Sequence, residues 1–253
     1  MGNPGDSILL MLGALVLPLL FTLFAGTVHG LLGLGFPLVV TPLLALITDV
    51  RQAILLTLLP TLLVNVLTLL ATKEWSALRA HWLILVGIVP GAWLGAELLV
   101  SVDANPFRLV LAAMIILHLW PKPPGHGAVH HSWVDLLVGV VAGLAAGTVN
   151  VMVPVLVLYL TTMQLPVMAM VVLFNLSFLT GKLVQIHVFV GHDILTTSLM
   201  AQTLPLMMAA ALGVWIGLWM RRYVSEQRFT LAIRGVLMIM SILLVGQYVQ
   251  HVR

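Results

Sequence analysis

Cysteine is absent from this chain of 253 residues, and Asp, Glu, Lys and Arg together make up only 8% of it. Without a thiol there is no disulfide framework, no thiolate metal site and no thiol redox chemistry. A soluble domain carries about 25% charged residues, so this composition cannot supply a water-facing surface. The same scarcity excludes disordered, collagen-like and coiled-coil chains. Basic residues outnumber acidic ones, 11 to 8, but they are scattered and form no patch for a nucleic acid. Gly-x-Ser-x-Gly, His-Glu-x-x-His and Walker A patterns are also missing, which leaves hydrolase, metalloprotease and ATPase chemistry without a carrier. An enzyme is therefore not expected, nor is a cofactor or metal. What is abundant is apolar: 61% of the residues are hydrophobic and the mean hydropathy is +1.16. The chain reads as a polytopic all-α membrane protein.

About 20 apolar residues cross the roughly 30 Å hydrocarbon layer as a helix. The first apolar run covers 8–35 and opens without Lys or Arg, so it is expected to be a retained helix rather than a cleaved leader. Runs at 36–48, 53–72, 82–100 and 107–120 follow, and the first and last of these four are short. A Pro-, Gly- and His-rich stretch at 121–132 reads as a linker, and its His126, His130 and His131 are expected to be solvated. Beyond it the pattern recurs, with runs at 133–149, 150–161, 167–190, 194–220 and 229–249. The thirteen Met are scattered through these spans as packing residues.

The recurrence holds residue by residue. Gly26, Gly30 and Pro37 align with Gly143, Gly147 and Pro154 at a shift of 117. Gly91-Ala92-Trp93-Leu94-Gly95 aligns with Gly213-Val214-Trp215-Ile216-Gly217 at a shift of 122, which also pairs Phe107 with Phe229. A competing register pairs 26–29 with 147–150 but leaves the prolines unmatched. The expected organisation is a first transmembrane repeat over 1–120, a linker over 121–132 and a second repeat over 133–253.

The short runs at 36–48 and 150–161 occupy matching places, and such paired, Gly/Pro-interrupted segments point to a substrate site near the bilayer midplane. If both cross, the chain has ten spans and inverted halves; if both are re-entrant, it has eight and parallel halves. The ten-span arrangement gathers Lys73, Arg79, Lys122, Arg221, Arg222 and Arg228 on one face, against Arg51, Arg108 and Arg253 on the other. Positive loops stay cytoplasmic, so inverted repeats with both termini outside are favoured.

Lys182 is the outlier, lying well inside the 167–190 run. A charge at that depth costs at least about 2.5–3.5 kcal/mol and should face protein or a water-filled cavity. Asn175, Lys182 and Gln185 share one helical stripe, which suits an anionic ligand. A structural lysine paired with Glu97, Asp135 or a helix C-terminus is the alternative. Thr27, His29, Thr148 and Asn150 sit where a long run meets a short one, among Gly30, Gly33, Gly35, Pro37, Gly147 and Pro154. Broken helices there would turn amides toward an anion; tight Gly-xxx-Gly packing is the competing role of the glycines. Asn65 shares the register of Lys182 and is a second polar contact. Arg234, one turn inside the last run, can snorkel to the interface. Proton coupling has two candidate carriers, His29 and Lys182.

With these residues in place, the chain resembles the TauE/SafE sulfite exporter family, the TSUP permeases. The resemblance rests on Gly26-x3-Gly30-x2-Gly33-x-Gly35 with Pro42-Leu43-Leu44, and on Gly139-x3-Gly143-x3-Gly147 with the Pro154 to Tyr159 run. Gly91-x3-Gly95, Gly213-x3-Gly217, Phe107 and Phe229 also carry it. The family's glycine triplet is broken here by Leu34, Phe36 and Pro37, and its second-half counterpart reads Asn150-Val151-Met152. The resemblance implies secondary transport, usually outward, of small sulfur-containing anions such as sulfite, sulfoacetate or other organosulfonates. It implies a multi-pass protein of a bacterial or archaeal cytoplasmic membrane, with the lipid bilayer and the anion as partners; a homo-oligomer is compatible with it. The rival readings are a divalent metal cation permease and a membrane assembly factor or enzyme without transport activity. His187 and His192-Asp193 are similar to the His-x4-Asp-His pattern of nickel and cobalt permeases, but the last two residues are reversed.

Overall fold

A computed structural model describes residues 4–72, 75–121, 130–224 and 226–252. Lys73, Lys122, His126, Arg253 and the Arg228 side chain lie outside the described residues, as does most of the 121–132 linker. Among the described residues the chain forms ten helices: α1 (Pro4–Leu32), α2 (Phe36–Ala45), α3 (Val50–Leu70), α4 (Ser76–Ser101), α5 (Phe107–Leu119), α6 (Ser132–Val149), α7 (Val153–Thr162), α8 (Val167–Gly191), α9 (Thr197–Met220) and α10 (Glu226–Val252). Six of them are long and apolar enough to cross a membrane. Their outer faces carry large apolar side chains such as Leu70, Met208 and Leu231, the first 79% exposed, a surface that only lipid covers cheaply.

The element boundaries follow local chemistry. Asp49 caps α3 by accepting the Gln52 N–H at 2.8 Å, and Thr196 caps α9 by accepting the Leu199 N–H at 3.2 Å. The first long run ends at Leu32 rather than at position 35, because Gly33 and Gly35 turn left-handed at φ 76° and 99°. The second short run likewise begins only at Val153, since Asn150 is left-handed at φ 61°. α4 starts before the apolar run does. Its first turn carries Arg79, and the helix kinks at His81 (φ −115°, ψ 21°), next to the first apolar residue, Trp82.

Two helix pairs dominate the packing. α4 lies along α6, and α9, which matches α4 in the repeat, lies along α1, which matches α6. Glycines set both distances. A Cβ on Gly87, Gly91, Gly95, Gly139, Gly143 or Gly147, or on Gly26, Gly30, Gly213 or Gly217, would meet facing backbone closer than 3.0 Å. Small residues let membrane helices approach until their backbones touch. Within each pair the contacts ascend together, Gly87 with Leu136 and Gly95 with Leu144, Gly26 with Ala210 and Gly30 with Val214. The paired helices therefore run parallel.

Side-chain bonds define the two ends of the bundle. At one, the Arg51 guanidinium donates to Leu99 O and Val102 O, and Arg108 donates to Ala45 O, Thr48 O and Gln247 Oε1. These bonds join the C-terminal ends of α2, α4 and α10 to the starts of α3 and α5. At the other end, His81 of α4 meets Asp135 of α6, and Arg234 of α10 donates to Leu119 O of α5 at 2.7 Å.

Candidate substrate site

Two breaks interrupt the helical backbone, one between α1 and α2 and one between α6 and α7. Each is braced to the third helix of its own half at equivalent positions. At the first break, His29 Nε2 lies 2.8 Å from Thr68 Oγ1 on α3. At the second, Gln185 of α8 donates Nε2–H to Ala146 O at 3.0 Å and to Gly147 O at 3.1 Å. His29 and Ala146 are 117 apart, as are Thr68 and Gln185.

Hydrogen bonding fixes the tautomer of His29. The Phe36 N–H donates to Nδ1 at 3.4 Å, so that nitrogen carries a lone pair. The Thr68 hydroxyl donates to Val64 O at 2.9 Å, so its oxygen accepts the proton on Nε2. The bonds thus describe a neutral ring. The expectation of amides at the short-helix starts meets a limit here. Phe36 already gives its N–H to His29, and Pro37 and Pro154 have none to give.

Each break also reaches across to the other half. Asn150 donates Nδ2–H to Thr41 Oγ1 of α2 at 2.9 Å and to Thr57 Oγ1 of α3 at 3.2 Å. Asn175 of α8 donates to Gly33 O at 3.0 Å. Lys182 is buried, and its Nζ donates to Gln185 Oε1 at 2.5 Å. Through Gln185 it lies against the carbonyl end of α6, where a helix dipole favours a cation. Of the structural partners the sequence left open, the helix C-terminus is reached only through Gln185. Thr27 and Thr148 return their hydroxyls to Leu23 O and Leu144 O in their own helices, and Asn65 donates to Thr61 O. Among the described residues the amide oxygens of Asn65, Asn150 and Asn175 have no partner.

A cavity of about 680 Å³ adjoins the first break. His29, Gly30, Gly33, Thr68, Thr72 and Arg221 are among its wall residues, and among the described residues no Asp or Glu lines it. A smaller hollow of about 410 Å³ lies between α4 and α8, walled by Val89, Pro90, Trp93, Leu183, Val184 and His187, with no residue of the second break among them. Trp93 matches Trp215 of the larger cavity at the shift of 122, and Val184 matches Leu67 at 117.

The geometry therefore unites His29, Gly30 and Gly33 in one cavity and ties Asn175 to its edge. It places Lys182, Gln185 and Gly147 together at the other break. The sequence reading missed Arg221, taken only as a loop charge, and the polar stripe of α3. Thr57, Thr61, Asn65, Thr68 and Thr72 recur at spacings of three and four, so one face of that helix is polar from the Asn150 contact down to the cavity. That periodicity was available in the sequence.

The fold and its paired breaks define a multi-pass helical membrane protein with a duplicated layout. The profile of the family described as "Sulfite exporter TauE/SafE" matches residues 18–244, and the chain belongs to that family of membrane transporters. No match to it was found among curated proteins or among solved structures.

Proposed function

We propose that this protein exports small sulfur-containing oxyanions, sulfite or organosulfonates such as sulfoacetate, by alternating access of two inverted repeats, 1–120 and 133–253. The observation that carries the reading is the 680 Å³ cavity with Arg221 as its one charged wall residue among those described and no carboxylate. An oxyanion fits such a wall, whereas a divalent cation would find no charge partner there. Arg221 would receive the anion, because a guanidinium matches oxyanion geometry. Deeper in, His29 Nε2–H would turn from Thr68 Oγ1 to the anion, and the Thr68 hydroxyl from Val64 O, to replace its water. Helix direction supports inversion: α1 runs parallel to α9 and α6 parallel to α4, while α4 and α9 enter from opposite ends. Arg79, Arg221 and Arg222 at the cavity end favour a cytoplasmic opening in a bacterial or archaeal cytoplasmic membrane.

The same reading assigns the open first break and the filled second break to one state of the cycle. Lys182 and Gln185 occupy the place that Asn65 and Thr68 hold in the other half, and they would meet the anion when the second break opens. Sulfite counterflow in proteoliposomes tests this. Arg221→Gln is expected to raise KM about tenfold, the loss of one charge-assisted bond, with the fold intact because Arg221 is exposed. Lys182→Met is expected to lower maximal flux. Unchanged flux and affinity in both variants, or nickel uptake in place of sulfite, would overturn the assignment.

A further inference from the structure

A second polar cluster lies at the α4–α6 contact, with none of its members in the cavity wall. Asp135, in the first turn of α6, is fully buried. His81 Nδ1 lies 3.1 Å from both carboxylate oxygens, His130 Nε2 lies 2.8 Å from Oδ2, and the Tyr159 hydroxyl donates to Oδ1 at 2.6 Å. His130, expected as a solvated linker residue, is exposed and also bonds this carboxylate. The rings of His81 and His130 meet edge to face with centroids 4.7 Å apart.

Burying a carboxylate is expensive unless a cation offsets it. No Lys or Arg pairs with Asp135 among the described residues; its ionic partners are the two imidazoles. The ligand atoms of His81, His130 and Asp135 all lie within 4.8 Å of one another. Metal–ligand bonds of 2.0–2.2 Å in a tetrahedron place neighbouring ligand atoms roughly 3.3 Å apart. The observed spacing therefore closes around an ion with small side-chain shifts.

We propose that His81, His130 and Asp135 bind one divalent transition-metal ion of the zinc, cobalt or nickel class. Imidazole and carboxylate donors suit these ions, and no thiolate competes in a chain without cysteine. The division of labour on the carboxylate fits ligation. Tyr159 holds Oδ1 and fixes the group's orientation, while Oδ2 faces both ring nitrogens, as an oriented ligand and its supporting hydrogen bond should be arranged. The His130 side chain is 36% exposed, which gives the ion an entry path and leaves its fourth position to water. The ion pins the start of α6 to α4 at the His81 kink. It stabilises the contact between the two halves and is not cargo.

The test uses the full chain purified in detergent, stripped with a chelator and dialysed against Zn²⁺ or Co²⁺. Metal content per chain, the Co²⁺ visible absorption and the thermal midpoint with and without metal are measured. One equivalent per chain, a four-coordinate Co²⁺ spectrum and a metal-dependent rise in the midpoint are expected. His130→Ala should abolish all three, and Tyr159→Phe should weaken affinity about 10–100-fold. His131→Ala, which removes a ring stacked on Trp133 outside the cluster, should change nothing. His130→Ala tests the site even where Asp135→Asn fails to fold. Absence of bound metal in the wild type, or equal binding by His130→Ala, overturns the proposal. Sulfite flux is not the readout, so the outcome stands apart from the transport reading.

Discussion

Gly33 and Asn150 stand 117 residues apart, and both end a long helix in the left-handed conformation. At the first, a Cβ would press on the Val171 side chain at 3.3 Å, whereas the nearby left-handed Gly35 has open space; Asn150 also uses its side chain, which bonds Thr41 and Thr57. Two substitutions separate these roles. Gly35→Ala has open space around the new Cβ but holds an L residue at φ 99°, so about 1–2 kcal/mol of stability should be lost to backbone strain alone. Asn150→Gly keeps the backbone permissive and removes two hydrogen bonds, at about 1 kcal/mol. It should also loosen the hold of the second half on α2 and α3. Thermal midpoints in detergent, read beside sulfite flux, check both: flux should fall further in Asn150→Gly than in Gly35→Ala.

At the scale of elements, the glycine-lined pairs α4–α6 and α1–α9 tie helices before the linker to helices after it. The first helix of each half finds its partner in the fourth helix of the other. Gly91→Val would drive side-chain carbon into Val140 O and the Leu144 N–H, and backbone cannot yield as a side chain can. Loss of the monodisperse species in size-exclusion chromatography is expected, and the same for Gly213→Val on the other pair. Gly246→Ala in α10 meets nothing within 4 Å. There the gain in helix propensity, about 0.5–1 kcal/mol, should show as an unchanged or raised midpoint.

For the whole molecule, topology is open to direct measurement because the chain has no native cysteine. Asp103 follows α4 at one end of the bundle and Arg222 follows α9 at the other, and both are exposed. Asp103→Cys is expected to label from outside the cell and Arg222→Cys only after the membrane is permeabilised. Labelling of both from one face would contradict an odd number of crossings per half.

Much of this architecture was legible without coordinates, for a physical reason. Burying backbone in lipid forces helices, and apolar runs mark them, so all ten elements could be read from hydropathy. The repeat was legible because glycines and prolines serve backbone geometry, which leaves a trace at fixed spacing. His29 and Lys182 stood out because polar groups in apolar runs are costly. Partners were a different matter. That Lys182 faces Gln185 and the end of α6, that Arg221 turns from a loop into a cavity wall, and that His130 reaches a buried Asp135 are contacts between residues far apart in the chain. Periodicity fixes which face of a helix is polar; only the packing of α3, α6 and α8 decides what that face meets.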